Sequence, residues 1–116
     1  MTDAGLKELV ALENLRLLNI RASKVTDAGL KVVAQLKNLQ ALNLEFDRIT
    51  DVGLKNLAPL KNLQALKLVG TQISDAGLKE LVGHKHLETL WLGGTKVTAE
   101  GVAAFRKALP RCKIVQ

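Results

Sequence analysis

Aromatic residues are scarce in this chain of 116 residues, which holds two phenylalanines, Phe46 and Phe105, one tryptophan, Trp91, and no tyrosine. Proteins that hold single-stranded nucleic acid stack its bases on interleaved aromatic side chains, and three scattered rings make no such platform. Nucleic-acid binding is therefore not expected. Cysteine is nearly absent as well. Cys112 stands alone, which excludes an intramolecular disulfide and the cross-linked framework of small secreted domains, and suits a reducing compartment. Its simplest role is that of a small buried hydrophobe. No run approaches the roughly 18–20 apolar residues that cross a bilayer, and no basic segment followed by an apolar core stands at the N-terminus. The expectation is a soluble chain without a membrane partner, with a cytoplasmic location favoured.

What is present is the composition of a globular protein. The chain is 47% hydrophobic and 24% charged, apolar enough to offset the entropy lost in ordering a backbone of this size. One domain over residues 1–116 is expected. Lysine and arginine outnumber aspartate and glutamate by 17 to 11, but the excess is largely repetition. Lys7, Lys31, Lys55 and Lys79 share one helical position, and Lys37, Lys61 and Lys85 share one turn position. A weaker basic edge consists of Lys24, Arg48 and Lys96.

The repetition extends to the whole chain. "TDAGLK" occurs at residues 2–7 and again at 26–31, and sliding the sequence by 24 residues aligns four units, 2–25, 26–49, 50–73 and 74–97, before a divergent closing unit at 98–116. A fixed period of this length is the signature of a solenoid, whose units cover one another's apolar faces. Within each unit two periodicities alternate. Leu6, Leu9 and Leu12, or Leu54, Leu57 and Leu60, carry the spacing of a short amphipathic helix, preceded by Thr26 or Ser74 as N-cap and by Asp27 or Asp75 at the positive end of the helix dipole. Next, "LQALNL" alternates as a strand does, with Leu42 and Leu44 inward and Ala41, Asn43 and Glu45 outward. Strands joined through helices must run parallel. Leu18, Leu42, Leu66 and Leu90 should then stack, as should Ile20, Leu44, Leu68 and Leu92, and Val25, Ile49, Ile73 and Val97.

"LKNLQALNLEFDRI" and "LKNLQALKLVGTQI" resemble the leucine-rich repeat pattern L-x-x-L-x-L-x-x-N-x-L, and the "TDAGLK" segments resemble its helix-bearing classes, such as the ribonuclease-inhibitor-like and F-box-associated repeats. The resemblance spans the chain and implies an α/β fold: a right-handed horseshoe solenoid with a parallel sheet on its concave face and short helices on its convex face. The position usually held by asparagine carries Ser23, Asp47, Thr71 and Thr95, which can still bond backbone groups in the turn after the strand.

Catalytic constellations are not recognisable. His84 and His86 form an H-x-H without the third and fourth ligands of a zinc set, and a structural or surface role is expected for both. Asp3, Asp27, Asp51 and Asp75 form a row that helix capping accounts for. "LGGT" at 92–95 lacks the spacing of a phosphate-binding loop. No nucleophile with a base and an orienting group is apparent, so no enzymatic activity, no cofactor and no metal are expected.

The informative residues are those that do not repeat. On the outward-facing strand positions the chain reads Leu17, Asn19, Arg21; Ala41, Asn43, Glu45; Ala65, Lys67, Val69; Thr89, Trp91, Gly93. A concave sheet is a broad, stiff platform, and the resemblance implies a protein partner bound there, with Trp91, Lys67, Val69, Glu45, Asn43, Arg21, Thr89 and Phe46 as the contact residues. Trp91 stands out, since strand parity points its indole outward beside Gly93 and Gly94 and exposed tryptophans rank high among interface hot spots. Two alternatives stay open. Identical "LKNLQAL" segments at 36–42 and 60–66 suit an engineered or consensus-derived scaffold without a natural ligand, and an uncapped first unit, or the concave face itself, would suit a self-associating piece such as a homodimer.

Overall fold

Each unit starts a helix with the same chemistry. In the computed structural model, which describes residues 1–116, helices run over Asp3–Leu6 (α1), Asp27–Val33 (α2), Asp51–Asn56 (α3), Asp75–Glu80 (α4) and Ala99–Ala108 (α5). Each follows a threonine or serine in extended backbone conformation. Thr2, Thr50 and Thr98 accept a hydrogen bond from a backbone N–H of their own helix, as N-caps do; Thr26 and Ser74 do not. Strands occupy Leu17–Asn19 (β1), Ala41–Asn43 (β2), Ala65–Lys67 (β3), Thr89–Trp91 (β4) and Lys113–Val115 (β5). They form one parallel sheet in sequence order, with Leu18, Leu42, Leu66, Leu90 and Ile114 side by side. The architecture is the expected α/β solenoid, with the core between the sheet and the row of helices.

The expected leucine stacks form that core. Leu42, Leu66 and Leu90, together with Leu44, Leu68 and Leu92, are essentially inaccessible, as are Val25, Ile49 and Ile73, while Val97 is half-buried. Leu57 and Leu60, assigned above to a helix face, lie beyond the end of α3 in the turn that leads to β3, yet both are fully buried. The first unit departs from the pattern. Leu6 is buried, but Leu12 is 49% exposed and Met1 54% exposed, on the side of the unit that faces away from α2. There α1 gives way to a single 3-10 turn at Lys7–Leu9.

The aspartate row requires a correction. Asp3, Asp27, Asp51 and Asp75 do open their own helices, as expected, but their carboxylates bond the following unit and do not cap. The Asp3 carboxylate accepts from the backbone N–H of Thr26 at 2.8 Å and from its hydroxyl at 2.6 Å. Asp27 accepts both groups of Thr50, Asp51 both groups of Ser74, and Asp75 both groups of Thr98. These bonds hold the Asp75 carboxyl below the usual carboxylate range, the Thr98 hydroxyl contributing most. The glycine of each motif is explained by the same contact. A Cβ on Gly29, Gly53, Gly77 or Gly101 would meet the aspartate Oδ1 of the preceding unit at 2.3, 2.3, 2.4 and 2.0 Å. The letters T-D-x-G therefore encode a clamp between successive units.

Candidate functional site

Strand parity delivers the non-repeating side chains to the concave surface in three rows. Leu17, Ala41, Ala65, Thr89 and Lys113 stand in register, and beside them Asn19, Asn43, Lys67, Trp91 and Val115. Arg21, Glu45, Val69 and Gly93 follow at the strand ends. Asn19 and Asn43 each turn their Oδ1 back to accept the N–H two residues on, from Arg21 and Glu45 respectively, which stiffens the exit from β1 and β2.

Of the eight residues singled out by sequence, the structure gathers two groups. Arg21 lies 3.7 Å from the Glu45 carboxylate and 5.1 Å from the centre of the Phe46 ring. Phe46 is 51% exposed and adopts a positive φ of 63°, a conformation that costs a residue with a Cβ on the order of 1 kcal/mol. Its ring lies over Gly70, where a Cβ would come within 2.4 Å of Cδ1. The second group is Lys67 with Trp91, the ammonium 5.0 Å from the indole centre, a cation–π contact. Trp91 is half-buried: its outward direction is as expected, but Lys67 covers part of it. Asn43, Val69 and Thr89 are half-buried on the same face.

Sequence reasoning passed over the floor of this face. A shallow depression of about 120 Å³ spans β1 to β3, lined by Leu17, Asn19, Ala41, Asn43, Ala65 and Lys67 above the buried Leu18 and Leu42. Leu17, 66% exposed, is its most accessible apolar side chain. The signal was available, since Ala41 and Ala65 are the small residues of a row that holds Leu17 and Thr89 elsewhere, and small residues between large ones make a hollow.

Groups with latent chemistry are otherwise engaged. His84 is buried, its Nδ1 3.1 Å from the Leu60 carbonyl oxygen; a carbonyl only accepts, so Nδ1 carries the proton. Desolvation lowers its pKa. His86 is exposed. Cys112 is buried and desolvation pushes its thiol up, which makes it a poor nucleophile. No three His, Cys, Asp or Glu side chains converge as metal ligands. No helix is long and apolar enough to cross a membrane. The hydroxyls of Thr71 and Thr95 donate to the carbonyls of Leu68 and Leu92, and Asp47 accepts from the N–H and hydroxyl of Ser23, the turn bonding expected at the positions where the repeat pattern has asparagine.

Comparison with known proteins agrees with this geometry. A leucine rich repeat family model matches residues 13–73, more than half of the chain, and a second leucine rich repeat model matches residues 83–105. No curated protein matches the sequence significantly. Among solved structures, an internalin C2 from Listeria monocytogenes is 28% identical with a TM-score of 0.76, over 93% of this chain and 44% of the other. A leucine-rich repeat protein of Leptospira interrogans is 27% identical with a TM-score of 0.63, over 93% of this chain and 33% of the other. The chain thus spans less than half the length of either. Chaetomium Mex67:Mtr2 subunits share the fold alone, at 20% identity and a TM-score of 0.70, over 97% of this chain and 88% of that one. With the T-D-x-G clamps, the leucine stacks and the parallel sheet in register, these matches show that the chain belongs to the leucine-rich repeat family.

Proposed function

We propose that this chain is a protein-interaction module that binds its partner on the concave sheet face. The observation that carries the reading is the depression over Leu17, Ala41 and Ala65: an apolar hollow on a rigid sheet, bordered by amide side chains and by Lys67. Such a surface takes an aliphatic side chain from a partner and offers a cation to a carboxylate beside it. Phe46 supports the same reading through its half-exposed ring beside Arg21; its positive φ belongs to the turn that Ala22, Gly70 and Gly94 share with it. Trp91 with Lys67, and Arg21 with Glu45, would supply anchors on either side of the floor.

The test is affinity capture followed by measurement of the recovered partner against variants. Ala65→Arg fills the depression and Trp91→Ala removes the anchor; each is expected to weaken binding at least tenfold, while Lys31→Ala on the exposed convex side leaves it unchanged. Circular dichroism controls for folding. Equal affinity across all four proteins would place the binding surface elsewhere and end the proposal.

A further inference from the structure

Of the three aromatic rings in the chain, Phe105 is buried in the core. Each of the other two carries a cation: Arg21 lies over Phe46 and Lys67 over Trp91. Arg21 is held from a second direction as well. The Glu45 carboxylate, on a side chain only 16% exposed, approaches its Nε at 3.7 Å. That distance makes an ion pair and not a hydrogen bond, so the N–H donors of the guanidinium stay unfilled within the chain, on a side chain that is 52% exposed. A stacked and ion-paired arginine gives up little rotamer freedom when it grips an oxyanion. None of this recurs along the solenoid. Later units place Glu45, Val69 and Gly93 where Arg21 stands, and Ala22, Gly70 and Gly94 take the place of Phe46. Gly70 leaves room for the ring, since a Cβ there would strike it. Along the rows of outward side chains Arg21, Lys67 and Lys113 are cationic, and the one carboxylate, Glu45, is already spent on Arg21.

We infer that Arg21 determines the specificity of the concave face: its guanidinium fork reads a carboxylate on an acidic partner segment, whose neighbouring aliphatic side chain enters the depression over Ala41 and Ala65. Lys67, on the rim of that depression, takes a second carboxylate. This rests on the concave-face reading above and adds to it the chemistry of the partner. Charge complementarity argues for the acidic occupant, because three cations and one paired carboxylate favour an anion and repel a basic segment. A second copy of this face would bring cation against cation. A planar carboxylate also matches the guanidinium geometry with two parallel N–H···O bonds. Phe46 and Glu45 are positioning residues: the ring supports the flat face of the guanidinium and Glu45 occupies its Nε side, which leaves the Nη edge for the partner.

The test selects a phage-displayed library of random peptides on the full chain and keeps the binders that Ala65→Arg abolishes. These are expected to be enriched in aspartate and glutamate beside leucine, isoleucine or valine. A synthetic peptide of the leading sequence is then titrated against the chain and its variants, with its acidic residues changed to the amides one at a time. One such change is expected to weaken binding to the unaltered chain at least tenfold, and to Arg21→Gln less than about twofold, because the partner group is already gone. Arg21→Lys keeps the charge without the fork and should still lose at least about threefold. Arg21 is exposed, so unchanged melting of these variants is expected and is checked by circular dichroism. Binders without an acidic preference overturn the inference while leaving the concave reading in place. The same result follows from an acid-to-amide penalty that is equal on the unaltered chain and on Arg21→Gln, since the carboxylate is then read elsewhere. A selection that yields no binder sensitive to Ala65→Arg ends the concave reading and this inference with it.

Discussion

His84 and Asp47 are buried side chains with one polar atom each, Nε2 and Oδ2, that no group in the chain satisfies. Their effects on stability have opposite signs in pH. Desolvation lowers the His84 pKa below its ordinary 6.5, outweighing the bond to Leu60. The neutral form is the one the fold favours, so its contribution is full above pH 6.5 and is lost as pH falls toward the folded value. At equivalent positions Leu36 and Leu60 are buried, and the Leu60 carbonyl keeps its bond from the Leu63 N–H. His84→Leu is therefore expected to raise stability by about 1–2 kcal/mol at pH 7, with a larger gain at pH 5.5, in urea denaturation at the two pH values; an unaltered pH slope would refute the assignment. Asp47 is raised above 3.8 by desolvation, against the opposing bonds from Ser23. Here the protonated form suits the fold, so the cost of the charge is full above the folded pKa, declines as pH falls through it and is gone below 3.8. Asp47→Asn keeps an oxygen for the N–H and hydroxyl of Ser23 and should add about 1 kcal/mol at pH 7, a gain that fades toward pH 3. Neither burial was evident from letters alone: both residues occupy repeat positions that sequence had marked, but the missing second partner depends on where the neighbouring unit's atoms fall.

Among elements, the decisive contact is between a helix start and the next. Gly53 is buried under the Asp27 Oδ1, and a methyl group would come within 2.3 Å of it. Gly53→Ala should cost about 1–3 kcal/mol even though alanine is the better helix former. Asp27→Ala also destabilises, by loss of the two bonds from Thr50, but it removes the oxygen that the new methyl strikes. The double variant is then expected to be more stable than the sum of the single costs predicts, by at least about 0.5 kcal/mol; strict additivity in thermal melts would show that the two residues do not interact. Thr and Asp were each legible as signals of a helix start; the glycine was not read. That one unit's aspartate serves the next unit's threonine was not, because helix capping explains the same letters within a single unit and nothing in a linear pattern separates the two.

For the whole molecule, 39 × 24 × 18 Å in extent, stability resides in stacks that run its length. Leu66 sits between Leu42 and Leu90 with no accessible surface. Leu66→Ala should cost roughly 2–5 kcal/mol and lower the midpoint of a single transition, since each unit is held by its neighbours; a midpoint that does not move would contradict the stacking. The strands, their parallel order and these stacks were readable because a period of 24 residues repeats the inward positions without change. The concave floor was less so: parity pointed Leu17, Ala41 and Ala65 outward, but their joining into one hollow needs three strands in register.

Sequence by itself determined the repeat, the α/β solenoid, the buried leucine rows and the set of outward side chains, since these follow from local periodicity carried unit by unit. Tertiary structure decided which of those side chains meet: Lys67 with Trp91, Arg21 with Glu45 and Phe46, aspartate with the next unit's threonine and glycine. Such meetings depend on distances between units 24 residues apart, and a distance across a stack is set by how neighbours pack, not by the order of letters within either one.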